Sequence, residues 1–496
     1  MTHDVTHLVH SLEMLGSAAF RVRLRSAEEG ARWAAKLRAS GRVREAWHTE
    51  SHLAFIPKEG EDPRALLEFD LDEARARETR EHALEVVLDG PDRDEVARAA
   101  QLSRGKLDQL LYDTPLTVSF VGFSPGFAYL RGLPPSLHLP RRDVPRPRIP
   151  KGALALAGGF AGIYPSATAG GWNLVGSVQK SLLDDGGPLL SAGDVVRLVP
   201  PSLDRTLRDP ERRELEDSDA AIVLEEVRGL SFIEDGGREG RLHQGVPPSG
   251  ALLPAWLARA NLAVGNEAGA AGIERYGALR VRARVSTVLA TEDGRPHRLR
   301  AGESMDLDWH GAARAGYVAF AGGIDVPMVL GGRGTHVRAG LGGLGGRALR
   351  RGDALRLHPP SAALPSSAMD PLDTSSRGAA APLIGVHPGP DLGHFLEGSI
   401  ARLTATAWRI SHMSDRMGSR LEGGRIEHRK NGPPQESAPL VLGAIEVPPS
   451  GEPIVLGPEH PSTGGYPVIG VVRAQDLPDF LRRPLGSTAR FTLASR

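Results

Sequence analysis

The 496-residue sequence contains no cysteine. That removes disulfides, zinc–thiolate sites, iron–sulfur clusters and a cysteine nucleophile. Lysine is scarce as well: six of the sixty basic residues are Lys and the rest are Arg. Arginine keeps its charge and grips carboxylates in a bidentate fork, so mechanisms that need a lysine amine have few candidates. Neither sign of charge is in excess, with sixty basic against sixty acidic residues. A whole-chain attraction to nucleic acid or an anionic membrane needs such an excess. Long apolar runs are missing too. The longest uncharged stretch, residues 152–179, carries seven glycines, Pro165, Asn173 and several hydroxyls. It suits short strands and turns better than a lipid-facing helix. Residues 1–10 have no basic region followed by an apolar one, so no signal peptide is read. The expectation is a soluble cytoplasmic protein with neither nucleic acid nor membrane as partner.

Glycine and proline are abundant, at 60 and 39 residues. Spread between short apolar runs, they mark the many tight turns of a β-rich architecture. Helical spacing of apolar residues predicts helices over 27–39 and 94–111, the second with Asp94 as a cap. Two stretches read as solvated linkers: residues 201–219, charged and poor in apolar side chains, and residues 359–382, rich in Pro, Ser and Ala. A weak internal repeat joins AGGWNLVG (169–176) to TGGYPVIG (463–470). The first is followed by SAGDVVRL (191–198), the second by PLGSTARF (484–491), and a third closing element, RRGDALRL, lies at 350–357. Turn, Gly, Asp or Ser, then an alternating strand reads as a barrel-closing hairpin. The predicted architecture is mainly β with an α+β N-terminal part. The repeat implies three related β modules, one before the first linker, one between the linkers and one after the second: the divisions are an α+β part at 1–85, a β-barrel at 86–204, a linker at 205–222, a β-barrel at 223–360, a linker at 361–382 and a β-barrel at 383–496.

Several motifs look chemical. Gly122 to Gly126 fits G-x-S-x-G, but Pro125 lacks the N–H that would follow a nucleophilic Ser124 in an oxyanion hole. Gly340, Gly342 and Gly345 fit a dinucleotide fingerprint without the acidic residue about 20 positions on, so a glycine-rich β turn is expected. No Walker A sequence occurs. His3, His7 and His10 share a helical face, as do His48 and His52. No carboxylate completes either set as a metal site, and exposed or capping histidines are the plainer reading. No metal is expected. The segment LPRRDVPRPRIP (139–150) stiffens a backbone that presents Arg142 and Arg146 to a carboxylate or phosphate, or ties them into structural ion pairs. Asp415 and Arg416, followed by Glu422, set acid beside base next to flexible glycines, an arrangement for acid–base work or for a buried ion pair. Gly170 and Gly171 before Trp172, and Gly464 and Gly465 before Tyr466, place an aromatic beside backbone that can approach a ligand closely. A bulge with a core aromatic is the alternative, and the better one for Trp172.

Long stretches carry a resemblance. Residues 122–146, AGGFAGIYPSATAGGW (157–172) and SAGDVVRL are similar to the B subunit of the bacterial ATP-dependent 5-oxoprolinase. GGREGRLHQGVPPSGA (236–251), ARANLAVGN (258–266), residues 317–353, SDRMGSRLEGG and the stretch ending TGGYPVIG resemble its C subunit. The resemblance covers nearly the whole chain, in the order B then C. It extends to the carboxyltransferase region of urea carboxylase, long labelled allophanate hydrolase subunits 1 and 2, and to a sporulation kinase inhibitor with its antagonist.

The resemblance implies cyclophilin-like β-barrel modules. It implies a fused B–C polypeptide that opens a cyclic amide, 5-oxoproline to glutamate, with ATP supplied through a separate A-type subunit. Asp235, Arg238, Glu274, Arg416, Glu422 and Tyr466 match the family's motifs. Asp415, Arg416, Glu422 and Asp235 are the candidate acid–base and catalytic groups. Arg142, Arg146, Arg238, Glu274, Gly170, Gly171, Gly464, Gly465 and Tyr466 are the candidate substrate-binding groups. Two other readings stand beside this one. One is carboxyl transfer to a urea or amide nitrogen, with a biotin carboxylase and a biotinylated carrier as partners. The other is a non-catalytic, kinase-inhibitor-like binding protein. The last is favoured by departures from the family pattern at Leu111, Phe160 and Leu253, where apolar side chains cannot donate, accept or titrate. Glu446 stands where the family has Gln.

Overall fold

The computed structural model of the protein describes residues 6–68, 79–201, 219–309, 311, 313–360, 382–433 and 436–494. Both expected linkers lie almost wholly outside these residues, as does His3.

The N-terminal part is a four-stranded antiparallel sheet in the order Glu13–Leu15, Ala19–Arg23, His52–Pro57, Val43–His48. Helix Ala27–Ala39 forms where its spacing predicted, capped by Ser26, whose side chain accepts from the Glu29 N–H at 3.2 Å. Side chains alternate across a strand. Val22, Leu53 and Phe55 therefore meet Trp33, Ala34 and Leu37 of the helix. Arg21, Arg23, His52 and Ala54 fall on the opposite face, which turns toward the last module. There Leu15, Ala19, Trp47 and Ala54 share a core with Leu440, Ala444, Val468 and Val471.

The next module is a closed seven-stranded barrel. In chain order its strands are Glu81–Val87, Leu116–Val121, Ala128–Arg131, Ala153–Ala157, Phe160–Ile163, Asn173–Val178 and Val195–Val199. Around the barrel they run first, sixth, fourth, fifth, third, second, seventh, and the seventh closes parallel to the first. The last module repeats this order with Ile384–Pro388, Ala407–Ile410, Gly418–Glu422, Ala444–Glu446, Ile454–Leu456, Val468–Val472 and Thr488–Leu493, closing in parallel again. The weak sequence repeat thus marks equivalent sixth and seventh strands of two barrels with one topology. The chain is mainly β, with the cyclophilin-like barrel modules the resemblance implied.

The middle module, expected to be a third related barrel, is laid out differently and is not a closed barrel among the described residues. Its strands form a four-stranded and a five-stranded sheet around one core. The third closing element, at Ala354–Leu355, pairs antiparallel with Ile222–Val227 instead of parallel. Helix Pro254–Ala263 packs Leu257 and Ala260 into a core that holds Tyr317 of this module together with Ile384, Trp408, Ile445 and Phe480 of the last barrel. The two modules are therefore joined by interior, not by a wet interface.

One predicted helix is corrected. Residues 94–111 fold as two helices, Arg93–Ala99 and Arg104–Asp113, separated at Gln101, which takes a left-handed φ of 58°. Asp94 lies in the first turn and not at the cap. Asp92 occupies the cap position, but its carboxylate is engaged by Arg142, Arg146 and the Leu174 N–H.

Trp47 is fully buried between the N-terminal sheet and the last barrel, and its indole N–H donates to the Ser462 carbonyl at 2.9 Å. Trp47→Phe keeps most of the packing and removes one of two donors to that carbonyl, which the Leu440 N–H still serves at 3.0 Å. Equilibrium denaturation should show a loss of about 0.5–1.5 kcal/mol.

Candidate functional site

Two polar assemblies stand out, one closed and one open. The closed one surrounds Arg416, in the turn between the second and third strands of the last barrel. Its Nε donates to Glu459 at 2.6 Å. Nη1 donates to Glu274 and Nη2 to the Gly250 carbonyl. Glu234 stands 3.4 Å from Nη2. Glu274 is the best satisfied of the three acids, because it also accepts from Tyr276 at 2.6 Å, Tyr317 at 2.8 Å and the Leu252 N–H at 2.7 Å. Tyr317 is its cross-strand partner, so the strand register places this pair. Burial pulls the Arg416 guanidinium down, and Glu234, Glu274 and Glu459 outweigh it, holding the group well above its usual range. Burial pushes the Glu234 carboxyl well up, with Arg416 opposing and Glu274, Glu459 and Asp235 reinforcing. Neither Glu234 oxygen has a hydrogen-bond partner among the described residues. Burial and the neighbouring acids thus favour the protonated form of Glu234, and Arg416 favours the ionised one.

Asp235 and Arg238 adjoin the cluster as loop builders. Asp235 accepts from the Gly237 N–H at 2.9 Å and from the Arg333 N–H. Arg238, 1% exposed, donates to the carbonyls of Val329 and Gly334. The structure thus gathers Asp235, Arg238, Glu274 and Arg416, and adds Glu234, Glu459, Tyr276 and Tyr317, which sequence reasoning passed over. The other expected residues lie elsewhere. Asp415 is exposed and pairs with Arg338 at 2.7 Å. Glu422 contacts Arg409, its cross-strand partner. Arg142 and Arg146 share Asp92, at 3.0 and 2.7 Å. Gly170 and Gly171 border the same barrel end, where Trp172, 6% exposed, packs with Phe127 and Tyr129. Among the departures, Leu111 and Leu253 are core residues, and Phe160 joins that aromatic group beneath Arg131. The segment that fits G-x-S-x-G docks on the last barrel. The Phe123 N–H donates to the Thr463 hydroxyl at 2.8 Å, and a Cβ on Gly122 would lie 2.3 Å from that oxygen.

The open assembly is a cleft of about 270 Å³ between the N-terminal sheet and the last barrel. Register builds its first wall: Glu13 lies opposite Arg21, and Arg23 opposite His52. All four project from one sheet face. Arg21, almost fully buried, is fixed by Glu13 at 2.8 Å and Asp391 at 2.7 Å. Arg23 is freer, with Glu436 at 3.5 Å. The barrel supplies the second wall with Asp391, His394, Gly465, Tyr466 and prolines 390, 433 and 467. Tyr466 is 41% exposed, unlike Trp172, its counterpart in the repeat. Burial, with help from Arg21 and Arg23, lowers His52 to about 4. Behind the wall, burial and then Asp391 raise Glu446 to about 8, and a Cβ on Gly464 would come within 2.7 Å of its Oε1. His48 and His52 are thus buried, against the expectation that they are exposed or capping. Gly465 and Tyr466, expected to bind substrate, do line the cleft, with Gly464 beside them; the wall from the N-terminal sheet was missed because its residues are far from them in sequence. The alternation of Arg21 and Arg23 in one short strand was the signal available.

Comparison with known proteins gives consistent matches. The model of the carboxyltransferase domain, subdomains A and B, matches residues 244–493, and that of subdomains C and D matches residues 57–188. The C subunit of 5-oxoprolinase from Escherichia coli (strain K12) is 34% identical over 282 residues, 53% of this chain and 88% of that protein. The B subunit from Escherichia coli O157:H7 is 45% identical over 114 residues, 22% of this chain and 52% of that protein, so the match spans about half of that relative. The crystal structure of TTHA0988 superposes with a TM-score of 0.80 at 29% identity, over 96% of this chain and 99% of that one.

The electrostatics of both assemblies can be tested by substitution. Arg416→Met strands buried carboxyls and should cost about 3–5 kcal/mol in chemical denaturation; Arg416→Lys, whose three donors radiate from one nitrogen and cannot span Glu459, Glu274 and the Gly250 carbonyl as the guanidinium does, should recover only part. A carboxyl raised to about 8 binds its proton more tightly folded than unfolded, so its stabilising effect is complete below about 4.5 and is lost as pH rises toward 8. Glu446→Gln removes that titration, so the fall in melting temperature between pH 5 and pH 8 should be smaller than in the parent. The depressed imidazole of His52 acts in the opposite window. Its contribution is present above about 6.5 and lost as pH falls toward 4.

Proposed function

The chain belongs to the carboxyltransferase-domain family that includes the B and C subunits of 5-oxoprolinase, and on that footing we propose that it is a fused B–C component of a 5-oxoprolinase-like, ATP-dependent amidohydrolase. With a separate A-type subunit it opens 5-oxoproline to glutamate. The observation that carries this reading is one chain holding a B-type match followed by a C-type match, with a cleft whose walls come from the N-terminal sheet and the last barrel.

A cyclic amide bearing one carboxylate suits the cleft. Arg23 is available to the carboxylate, while Arg21 is held in place as a fixed positive wall. Tyr466 and the prolines offer apolar surface to the ring. The Arg416 cluster has no opening for a substrate, since Glu234, Glu274 and Arg416 are buried and Glu274 is fully hydrogen-bonded. Its part is to hold the middle module and the last barrel in register. ATP would supply the driving force for opening a stable amide. The glycine-rich segment with Gly340, Gly342 and Gly345 does not fit the nucleotide's phosphates: it is a series of turns, not a strand leading to a helix, and it carries no lysine. In this proposal the A-type partner binds the nucleotide.

The test is reconstitution. The purified chain mixed with an A-type subunit should release glutamate from 5-oxoproline only when ATP is present. Arg23→Ala should lower kcat/KM about 10- to 100-fold, the loss of one charged hydrogen bond. Transfer of a carboxyl group from a biotinylated carrier to urea, without lactam opening, would contradict the proposal.

A further inference from the structure

A line of polar groups in the cleft wall lies beside Arg23 and runs from the N-terminal sheet into the last barrel. Glu436 of the last barrel accepts from the Ser51 hydroxyl at 2.6 Å, and the same hydroxyl lies 3.0 Å from His52 Nδ1. A serine hydroxyl has one proton. Here it goes to the carboxylate, the stronger acceptor, in a short charge-assisted bond. Toward His52 the Ser51 oxygen must then accept, which places the imidazole proton on Nδ1. The backbone holds this geometry. The His52 N–H donates to the Thr49 side chain, the Thr49 N–H donates to the His52 carbonyl, and Arg23 lies directly across the sheet.

We propose that Glu436 and Ser51 fix His52 as its Nδ1–H tautomer, so that Nε2 stands in the cleft as a hydrogen-bond acceptor that reads the amide N–H of a small carboxylate ligand. The ligand class is a cyclic or secondary amide with one carboxylate, the carboxylate at Arg23 and the N–H at His52. This rests on the cleft being the substrate site. An acceptor of this kind must stay uncharged, and the groups around it arrange that. Burial comes first, Arg21 and Arg23 follow from the neighbouring strand, and Glu436 and Asp391 of the last barrel oppose only weakly. His52 is the specificity-determining residue here; Ser51 and Glu436 are positioning residues. The line joins the N-terminal sheet to the last barrel, so the reading of the amide depends on both ends of the chain.

The experiment has two readouts on the full chain. The first is the ring ¹⁵N spectrum of histidine-labelled protein, assigned with His52→Phe. His52 should show the neutral Nδ1–H pattern from about pH 6 to about pH 9, above its lowered pKa. Ser51→Ala should convert it to a tautomer mixture, and Ser51→Thr, which keeps the hydroxyl, should restore it. An Nε2–H pattern in the parent, or no change in Ser51→Ala, overturns the proposal. The second readout is calorimetric titration with 5-oxoproline and N-methyl-5-oxoproline. The parent should prefer the N–H form at least about tenfold, the effect of stranding one buried acceptor. His52→Phe should bring the ratio below about threefold. Equal affinity of the parent for both lactams overturns the assignment of His52 while leaving the lactam reading intact. If neither lactam binds, the substrate reading fails and takes the ligand half of this proposal with it; the tautomer is then decided by the spectrum alone.

Discussion

A single guanidinium, that of Arg416, ties together two modules that share no strand pairing among the described residues. It comes from a turn of the last barrel and reaches two acids of the middle module, Glu274 and Glu234, a carbonyl at Gly250, and Glu459 of its own barrel. Buried ions are costly to desolvate, and a pair offsets that cost only when every lone pair and proton is used. Glu274 meets the condition through Tyr276, Tyr317 and the Leu252 N–H. Glu234 does not, since neither of its oxygens has a hydrogen-bond partner among the described residues, and burial pushes its carboxyl well up. Apolar packing would join the modules without specifying how they meet. The forked ion pair, with Tyr317 set opposite Glu274 by strand register, fixes one geometry.

That geometry has consequences at a distance. The last barrel, locked to the middle module, also receives the N-terminal sheet, whose barrel-facing side carries Arg21, Arg23, His52 and Ala54. The cleft exists only because this side meets the loops at 390–394 and 465–467. The first barrel adds a third brace, through Phe123 on Thr463, next to Gly464 and Gly465. Placement of the cleft walls is thus fixed by three contacts, each made by a different part of the chain.

Much of this was legible in the sequence. Helix Ala27–Ala39 has the apolar spacing and a serine cap that together specify a helix, and it forms at those residues. The two barrels announced themselves through repeated Gly-Gly-aromatic and closing-strand segments, because equivalent strands need equivalent turns. Asp235, Arg238, Glu274 and Arg416 were found through family motifs and do come together. The rest had little local signal beyond the alternation of Arg21 and Arg23. The break at Gln101 uses a non-glycine residue with φ of 58°, which composition does not mark. Glu234 and Glu459 matter because of where they fold, and their neighbours in sequence do not reveal it. The cleft is assembled from segments hundreds of residues apart. His52 looked like a surface histidine until its strand was found buried between a sheet and a barrel.

The central claim is that the cleft between the N-terminal sheet and the last barrel receives a small amide carboxylate. A crystal structure determined with 5-oxoproline bound tests it most directly. The account predicts the ligand between Arg23 and Tyr466, with its carboxylate on the arginine. Ligand found instead at Asp92, Arg142 and Arg146 of the first barrel, with the cleft empty, would contradict it.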